Sequence, residues 1–478
     1  MNHLDTPLFD QLDQFARKQN VSFHVPGHKN GQIYTRKGYE YFSNIFKIDL
    51  TELTDLDDLH AAEGIIEQAQ ELASNWFHAD RTYFLVNGST AGNLTMILAC
   101  CQPNDVVIVQ RNCHKSILHG IELAGAKPVF IAPELDMELE RYTQPSLSVV
   151  QKACQEYPEA KALILTYPDY YGKTYDIKSM IDIAHDNHIP VLVDEAHGCH
   201  LSLSFIKASS AVSQGADIVV QSAHKMTPAL TMGAYLHVQT ERVDKDLIQH
   251  YLQVLQSSSP SYPVMASLDL ARCYLANYTQ KQWGTLGNYL KQVRKAMSSN
   301  DYWQLEKQYH LDDPLKCTIK VNDCVDTKDI ASLLESEGIF PELVTDWHIL
   351  FVVGLEPTVK INKLIHVIEK VKGQLNNAAN HAKIKRHKVT FLEEITTLAL
   401  SYDEMKKLDR KWMEWEGTVG YIAAESIIPY PPGIPLIAKG EKITKQHLAQ
   451  VFSLYEHGVK FQPNNRMEGL FVFSDQKK

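Results

Sequence analysis

Between about residues 60 and 240 the chain alternates two hydrophobic periods. Short apolar or β-branched runs fall at 83–86, 106–109, 128–131, 162–166, 191–193, 218–220 and 234–238. Several are apolar almost throughout, the pattern of strands covered on both faces. Between most of them lie stretches with apolar residues at helical spacing, such as 65–76 and 177–187. Strands alternating with amphipathic helices predict an α/β fold built on a mostly parallel, seven-stranded sheet.

Past residue 238 the pattern changes. A helix-like stretch at 242–256 is broken by SSSPSYP at 257–263, a run of turn formers. Helical patterns at 265–277 and 283–297 follow, then a strand-like run at 316–321, a helix at 328–337, a strand at 348–353 and a helix at 360–375. That order predicts a smaller α/β domain. The expected organisation is an N-terminal arm at 1–50, a large domain at 51–275, a small domain at 276–375, a polar linker at 376–388 and a C-terminal α+β domain at 389–478.

Composition narrows the function classes. The 478 residues are 44% hydrophobic and 22% charged, with a formal net charge of −10. An acidic balance argues against a general nucleic-acid or anionic-lipid surface. The longest apolar runs, such as 96–101, are far too short to span a bilayer. No secretory signal is expected at the N-terminus. The eight cysteines form no C-x-x-C pair and read as reduced thiols, so a cytoplasmic protein is expected. The run His197-Gly198-Cys199-His200 lacks a second ligand pair at finger-like spacing, and no metal is expected.

Four segments at or near strand ends could carry chemistry, because ligands of an open parallel sheet bind at its carboxyl edge. The first, VNGSTAGN at 86–93, turns on glycine into a helix start with Ser89 and Thr90. That is a phosphate cradle or a plain helix cap. In the second, Asp194 ends a buried strand. A carboxylate there either caps the next turn or meets a cation such as a protonated pyridine nitrogen. The third, QSAHK at 221–225, ends in Lys225, a surface lysine or, once its pKa falls, a nucleophilic amine. The fourth places His114 after the strand at 106–109, as a base, a flat stacking surface or a hydrogen-bonded side chain. A phosphate cradle, an end-of-strand Asp and a Lys together match the needs of pyridoxal 5'-phosphate.

The chain resembles the bacterial ornithine/lysine/arginine decarboxylase family. The resemblance rests on FHVPGHKNG at 23–31, DLTEL at 49–53, LVNGSTAGN at 85–93, VDEAHG at 193–198, QSAHK at 221–225, SSPSYP at 258–263 and PYPPGIP at 429–435. It implies an aspartate-aminotransferase-like (type I) fold and pyridoxal-phosphate-dependent decarboxylation of lysine, ornithine or arginine to CO2 and an amine. It implies that Lys225 binds the cofactor covalently, Asp194 pairs with its ring nitrogen and His114 stacks on the ring. Ser89, Thr90, Ser222 and His224 would contact the phosphate, and Ala196 and His197 would lie against the ring or near the substrate. The resemblance also implies a homodimer or higher assembly with shared active sites, Ser258 and Ser259 reaching the partner's phosphate. It fits the short form of the family, without the extra N-terminal domain. The substrate's distal cation needs an acidic partner, with Glu425, Asp57 and Asp58 as candidates. Lys225, His197 and Cys199 are candidates for the proton donor to Cα. The alternative is another type I pyridoxal-phosphate enzyme, an aminotransferase or a lyase.

Overall fold

A computed structural model describes residues 1–18, 20–377, 393–430, 433–456, 459–462 and 468–474. All seven expected strands form: β1 (Arg81–Leu85), β2 (Val106–Gln110), β3 (Lys127–Ile131), β4 (Leu163–Thr166), β5 (Val191–Asp194), β6 (Ile218–Gln221) and β7 (Ala234–Val238). Contacts gather the chain into two compact units. One comprises Met1–Cys101, Ala162–Tyr167 and Asp176–Thr279; the other comprises Gln102–Lys161, Pro168–Tyr175 and Gln280–Lys478.

In the first unit the strands lie in the order β1-β7-β6-β5-β4. β4, β5 and β6 are parallel, whereas β7 runs antiparallel to both β6 and β1. β5, β6 and β7 are buried at every position, which explains their nearly continuous apolar sequences. The helices that matter here are α1 (Pro7–Arg17), α2 (Ile65–Phe77), α3 (Gly88–Cys100) and α4 (Tyr262–Ala276). α3 starts on Gly88, whose φ of +75° turns the chain out of β1 at no steric cost. Four residues on, a Cβ at Gly92 would stand 2.7 Å from both Leu85 Cδ1 and Val220 Cγ1, so only glycine lets α3 lie this close to the strands. α1 buries Leu8 and Leu12 and is pinned by α4: Asp269 accepts the Leu8 N–H, and Arg272 donates to the carbonyls of His3 and Asp5.

In the second unit β2 and β3 are parallel. A four-stranded antiparallel sheet holds β8 (Trp303–Leu305), β9 (Lys316–Val321), β10 (Leu343–Val344) and β11 (His348–Val352) in the order β8-β9-β11-β10. Both strand runs expected in this region are present. One departure lies at the start of the expected C-terminal domain: β12 (Ile395–Thr397) pairs antiparallel with β3. The rest of that region builds its own core from Trp415, Ala423, Ile437, Leu470, Val472 and their neighbours. The expected linker at 376–388 lies outside the described residues except at its start, where the helix Ile361–Asn377 ends.

Candidate active site

In the first unit the strand ends bring together most of the residues picked from sequence. Asp194 closes β5 and is 3% exposed. Its carboxylate accepts the Asn93 amide at 3.0 Å and the Ala196 N–H at 3.2 Å. Both donors are neutral. A buried carboxylate held this way keeps its charge uncompensated, which suits a cationic group placed against it. Ser222 follows β6, and its hydroxyl donates to Ser89 Oγ at 2.8 Å, which joins the strand end to the first turn of α3. Thr90 follows Ser89, and its residue is exposed. The two serines and the N-terminal N–H groups of a thirteen-residue helix are the kind of donors an anion site needs.

Lys225 lies in the one-turn helix Ala223–Met226 and is exposed within this unit. Its Nζ is 3.3 Å from Nε2 of His197, which is 7% exposed in the turn after Asp194. His224 turns its Nδ1 to the Gly233 carbonyl at 3.0 Å; burial, helped by the charge of Lys225, lowers its pKa and favours neutral imidazole.

Other expected positions have different surroundings. Asp57 was a candidate for the substrate's cation, but its carboxylate accepts the N–H groups of Asp58, Glu63, Gly64 and Ile66 and so caps the start of α2. With its lone pairs committed to the backbone, it is withdrawn as a substrate residue. Asp58 accepts the His60 N–H through one oxygen and caps a short 3-10 turn, which leaves it a candidate beside Glu425. Cys199 is fully buried, and burial, reinforced by the charge of Glu195, pushes its thiol well above the usual range, unsuited to supplying a proton. Ser258 and Ser259 are exposed.

In the second unit His114 caps the helix Lys115–Ala124 through Nδ1, which lies 2.8 Å from the Ser116 hydroxyl. Glu425 accepts the Phe471 N–H at 2.9 Å and is half-buried. The Pro-rich turn is described except at positions 431 and 432. Arg111 holds it: the guanidinium donates to the carbonyls of Pro435 and Leu436 and to both oxygens of Glu441.

Sequence reasoning missed three supports. Asn93 was quoted within a motif but given no role, although an amide five residues after the start of a cradle helix is placed to face the neighbouring strand end. Arg111 and Glu441 are 330 residues apart, and no local pattern joins them. Glu195 sits behind Asp194 with a fully buried carboxylate that accepts Ser210, Ala211 and Gln221. Among the described residues no group of three His, Cys, Asp or Glu gathers to hold a metal ion. Among them, too, no helix is long and apolar enough to cross a membrane.

Known proteins share this fold and much of this sequence. Residues 6–309 match the Orn/Lys/Arg decarboxylase major domain, and residues 382–466 match the C-terminal domain of that family. The uncharacterized protein YaaO of Bacillus subtilis is 39% identical over 484 residues, covering 99% of this chain and 100% of that protein. An arginine decarboxylase of the same organism is 34% identical over 492 residues, covering 100% of this chain and 99% of the relative. Among solved structures, the Francisella novicida lysine decarboxylase LdcF superposes with a TM-score of 0.82 at 20% identity, covering 98% of this chain and 81% of that one, a likeness that shows the fold. With the fold shared, both halves matched and the strand-end residues in place, the chain belongs to the Orn/Lys/Arg decarboxylase family.

Proposed function

We propose that this chain is a pyridoxal-phosphate-dependent decarboxylase that converts lysine, ornithine or arginine to CO2 and the corresponding amine, a step of polyamine-type metabolism in the cytoplasm. The observation that carries the cofactor assignment is Asp194, a buried carboxylate with neutral donors at a strand end of the unit that also presents Lys225. The residues present fit the group: an anion site at the start of α3, a carboxylate for a ring cation, and an amine within reach of a histidine.

When bound, pyridoxal phosphate supplies an electron sink for the pair left behind as CO2 departs. The chain's own residues do the rest. Ser89, Thr90, Ser222 and the α3 N-terminus hold the phosphate, with His224 beside them as a neutral imidazole. Asp194 holds the ring nitrogen protonated, and Asn93 orients that carboxylate. Lys225 provides the amine that anchors the cofactor and releases the product, and Ala196 lies against the ring. His197 Nε2, 3.3 Å from Lys225 Nζ, exchanges a proton with it and is the donor we favour for Cα. His114 serves as the ring's stacking partner by family resemblance. Glu425 remains the proposed partner of the substrate's distal cation, through the oxygen that does not accept Phe471. Decarboxylation is preferred to transamination because relatives matched over nearly the whole chain carry the name arginine decarboxylase.

A homodimer is part of this reading. The first unit exposes a run of large apolar side chains at 21–45, with Phe23 94% and Tyr41 77% exposed, more than a solitary surface keeps in one place. A second copy would cover them, and Ser258 and Ser259 would then reach its phosphate site.

Reductive trapping tests the cofactor assignment. Borohydride treatment of the cofactor-loaded protein, followed by digestion and mass spectrometry, should find the pyridoxyl adduct on the peptide carrying Lys225. An adduct on another lysine, or none, refutes the assignment.

A further inference from the structure

Three neighbouring strands of the first unit, and the residue that follows a fourth, each contribute one buried polar side chain to a continuous chain of hydrogen bonds. Thr82 on β1 lies directly opposite His237 on β7, and its Oγ1 is 2.9 Å from His237 Nδ1. His237 Nε2 is 3.1 Å from Oε1 of Gln221, at the end of β6. Gln221 Nε2 is 2.6 Å from Oε2 of Glu195, the residue after β5. Glu195 also accepts the Ser210 hydroxyl at 2.7 Å and the Ala211 N–H at 2.8 Å. None of the four is more than 3% exposed. Side chains alternate across a strand, so Glu195 and Asp194 point to opposite faces of the sheet.

We propose that Thr82, His237, Gln221 and Glu195 act as one directed ladder, and that Glu195 is through it a positioning residue for Asp194 and Ser222. The inference rests on the cofactor site described above. Direction follows from charge. Two oxygens without a proton between them repel at 2.6 Å, so Gln221 must turn its amide nitrogen to a charged Glu195. The amide oxygen then faces His237, whose Nε2 must carry the proton. Nδ1 is left as an acceptor, and the Thr82 hydroxyl donates to it. A carboxylate at position 195 therefore sets the tautomer of a histidine two strands away.

The same residue fixes the site-facing turn. The Glu195 N–H donates to Val220 O at 2.9 Å, and its carbonyl accepts the Gly198 N–H at 2.9 Å. A Cβ at Gly198 would stand 2.3 Å from Glu195 Cγ, so the turn carrying Ala196 and His197 folds directly over this side chain. Ser222, next to Gln221, is held on the other side of the same link.

The test uses ¹⁵N-histidine NMR of the full-length protein at a pH well above 7, where Glu195 is charged, with His237→Gln identifying the signal. The expected wild-type ring has a pyrrole-type Nε2 and a pyridine-type Nδ1. Glu195→Gln turns an amide nitrogen toward Gln221, which must flip, and the His237 tautomer should reverse. The double variant Glu195→Gln/Gln221→Glu lets the new amide donate to the new carboxylate, which again accepts from Nε2, so the wild-type tautomer should return. With cofactor saturating, the single variant should lose about tenfold to a hundredfold in kcat with KM within about threefold, and the double variant should recover most of that loss. An Nδ1–H tautomer in the wild type, or one unmoved by Glu195→Gln, overturns the ladder. A double variant no better than the single overturns the positioning role. The tautomer is read without substrate, so a protein that decarboxylates nothing would refute the proposed function and leave the ladder standing.

Discussion

Asp194 and Lys225 are residues whose chemistry exceeds what packing asks of them. The carboxylate of Asp194 could be replaced by an amide with little change in shape, so Asp194→Asn separates charge from structure. The variant should keep its melting temperature within a few degrees and lose at least about a hundredfold in kcat, the scale of removing one preorganised charge contact. A small loss in kcat would mean that ring protonation does not depend on this residue. Two other buried groups set opposing pH dependences. Burial raises the Glu195 pKa to about 7, so the folded state holds that proton more tightly than the unfolded chain. Its contribution to stability is full below the ordinary carboxylate range and is lost as pH rises toward 7. Burial lowers the His237 pKa to about 3, so between there and the ordinary histidine value the unfolded chain binds the extra proton. Its effect is a loss of stability as pH falls through that window. Removing the second group leaves the first. Relative to wild type, the melting temperature of His237→Gln should rise as the buffer goes from pH 7 to pH 5. A difference between the two proteins that does not change over that range contradicts the assignment. At this scale the sequence showed the end-of-strand Asp and Lys plainly, since charge is out of place there. Glu195, Gln221, His237 and Thr82 were not legible, because each is an unremarkable polar residue until the strand order sets them side by side.

The elements were legible wherever burial imposed a pattern. Strands covered on both faces are apolar almost throughout, and β5, β6 and β7 were visible for that reason. Turns are different, because their side chains can serve backbone or ligand equally well. Asp57 shows this. Its backbone takes φ +65°, and its carboxylate gathers the free N–H groups at the start of α2, a geometry that its position before a glycine-containing turn does not announce. Burial opposes ionisation, but the bonds from Glu63, Asp58, Gly64 and Ile66 prevail and lower its pKa. Asp57→Ala should cost about 1–2 kcal/mol in chemical denaturation, the usual worth of such a cap, with little change in KM for the amino acid. A large rise in KM with unchanged stability would restore the substrate role. Gly92 gives a second element-scale expectation. A methyl group there meets Leu85 and Val220 at 2.7 Å, so Gly92→Ala should destabilise by about 1–3 kcal/mol through overpacking. It should also weaken cofactor binding, because the proposed phosphate site lies at the start of α3. Unchanged stability and cofactor affinity would show that α3 can move away freely.

For the whole molecule, seven ordered motifs pointed to the family, and the matches over residues 6–309 and 382–466 bear that out. What sequence could not show was how distant segments share structure. The strand 395–397 leaves the expected C-terminal domain to pair with β3, and Arg111 ties itself to residues more than 300 positions away. Such pairings depend on contacts that no local period encodes. Association is the expectation that belongs to this scale. Phe23→Asp/Tyr41→Asp should shift sedimentation from dimer toward monomer and reduce cofactor affinity with it; a dimer that persists unchanged would place the interface elsewhere. The central claim is the reaction itself. Wild-type protein loaded with cofactor is offered lysine, ornithine and arginine, each labelled with ¹³C in the α-carboxyl group. The predicted result is labelled CO2 together with the matching amine from at least one of them, and neither from Lys225→Ala. A keto acid that retains the label, or CO2 release that survives the loss of Lys225, would contradict it.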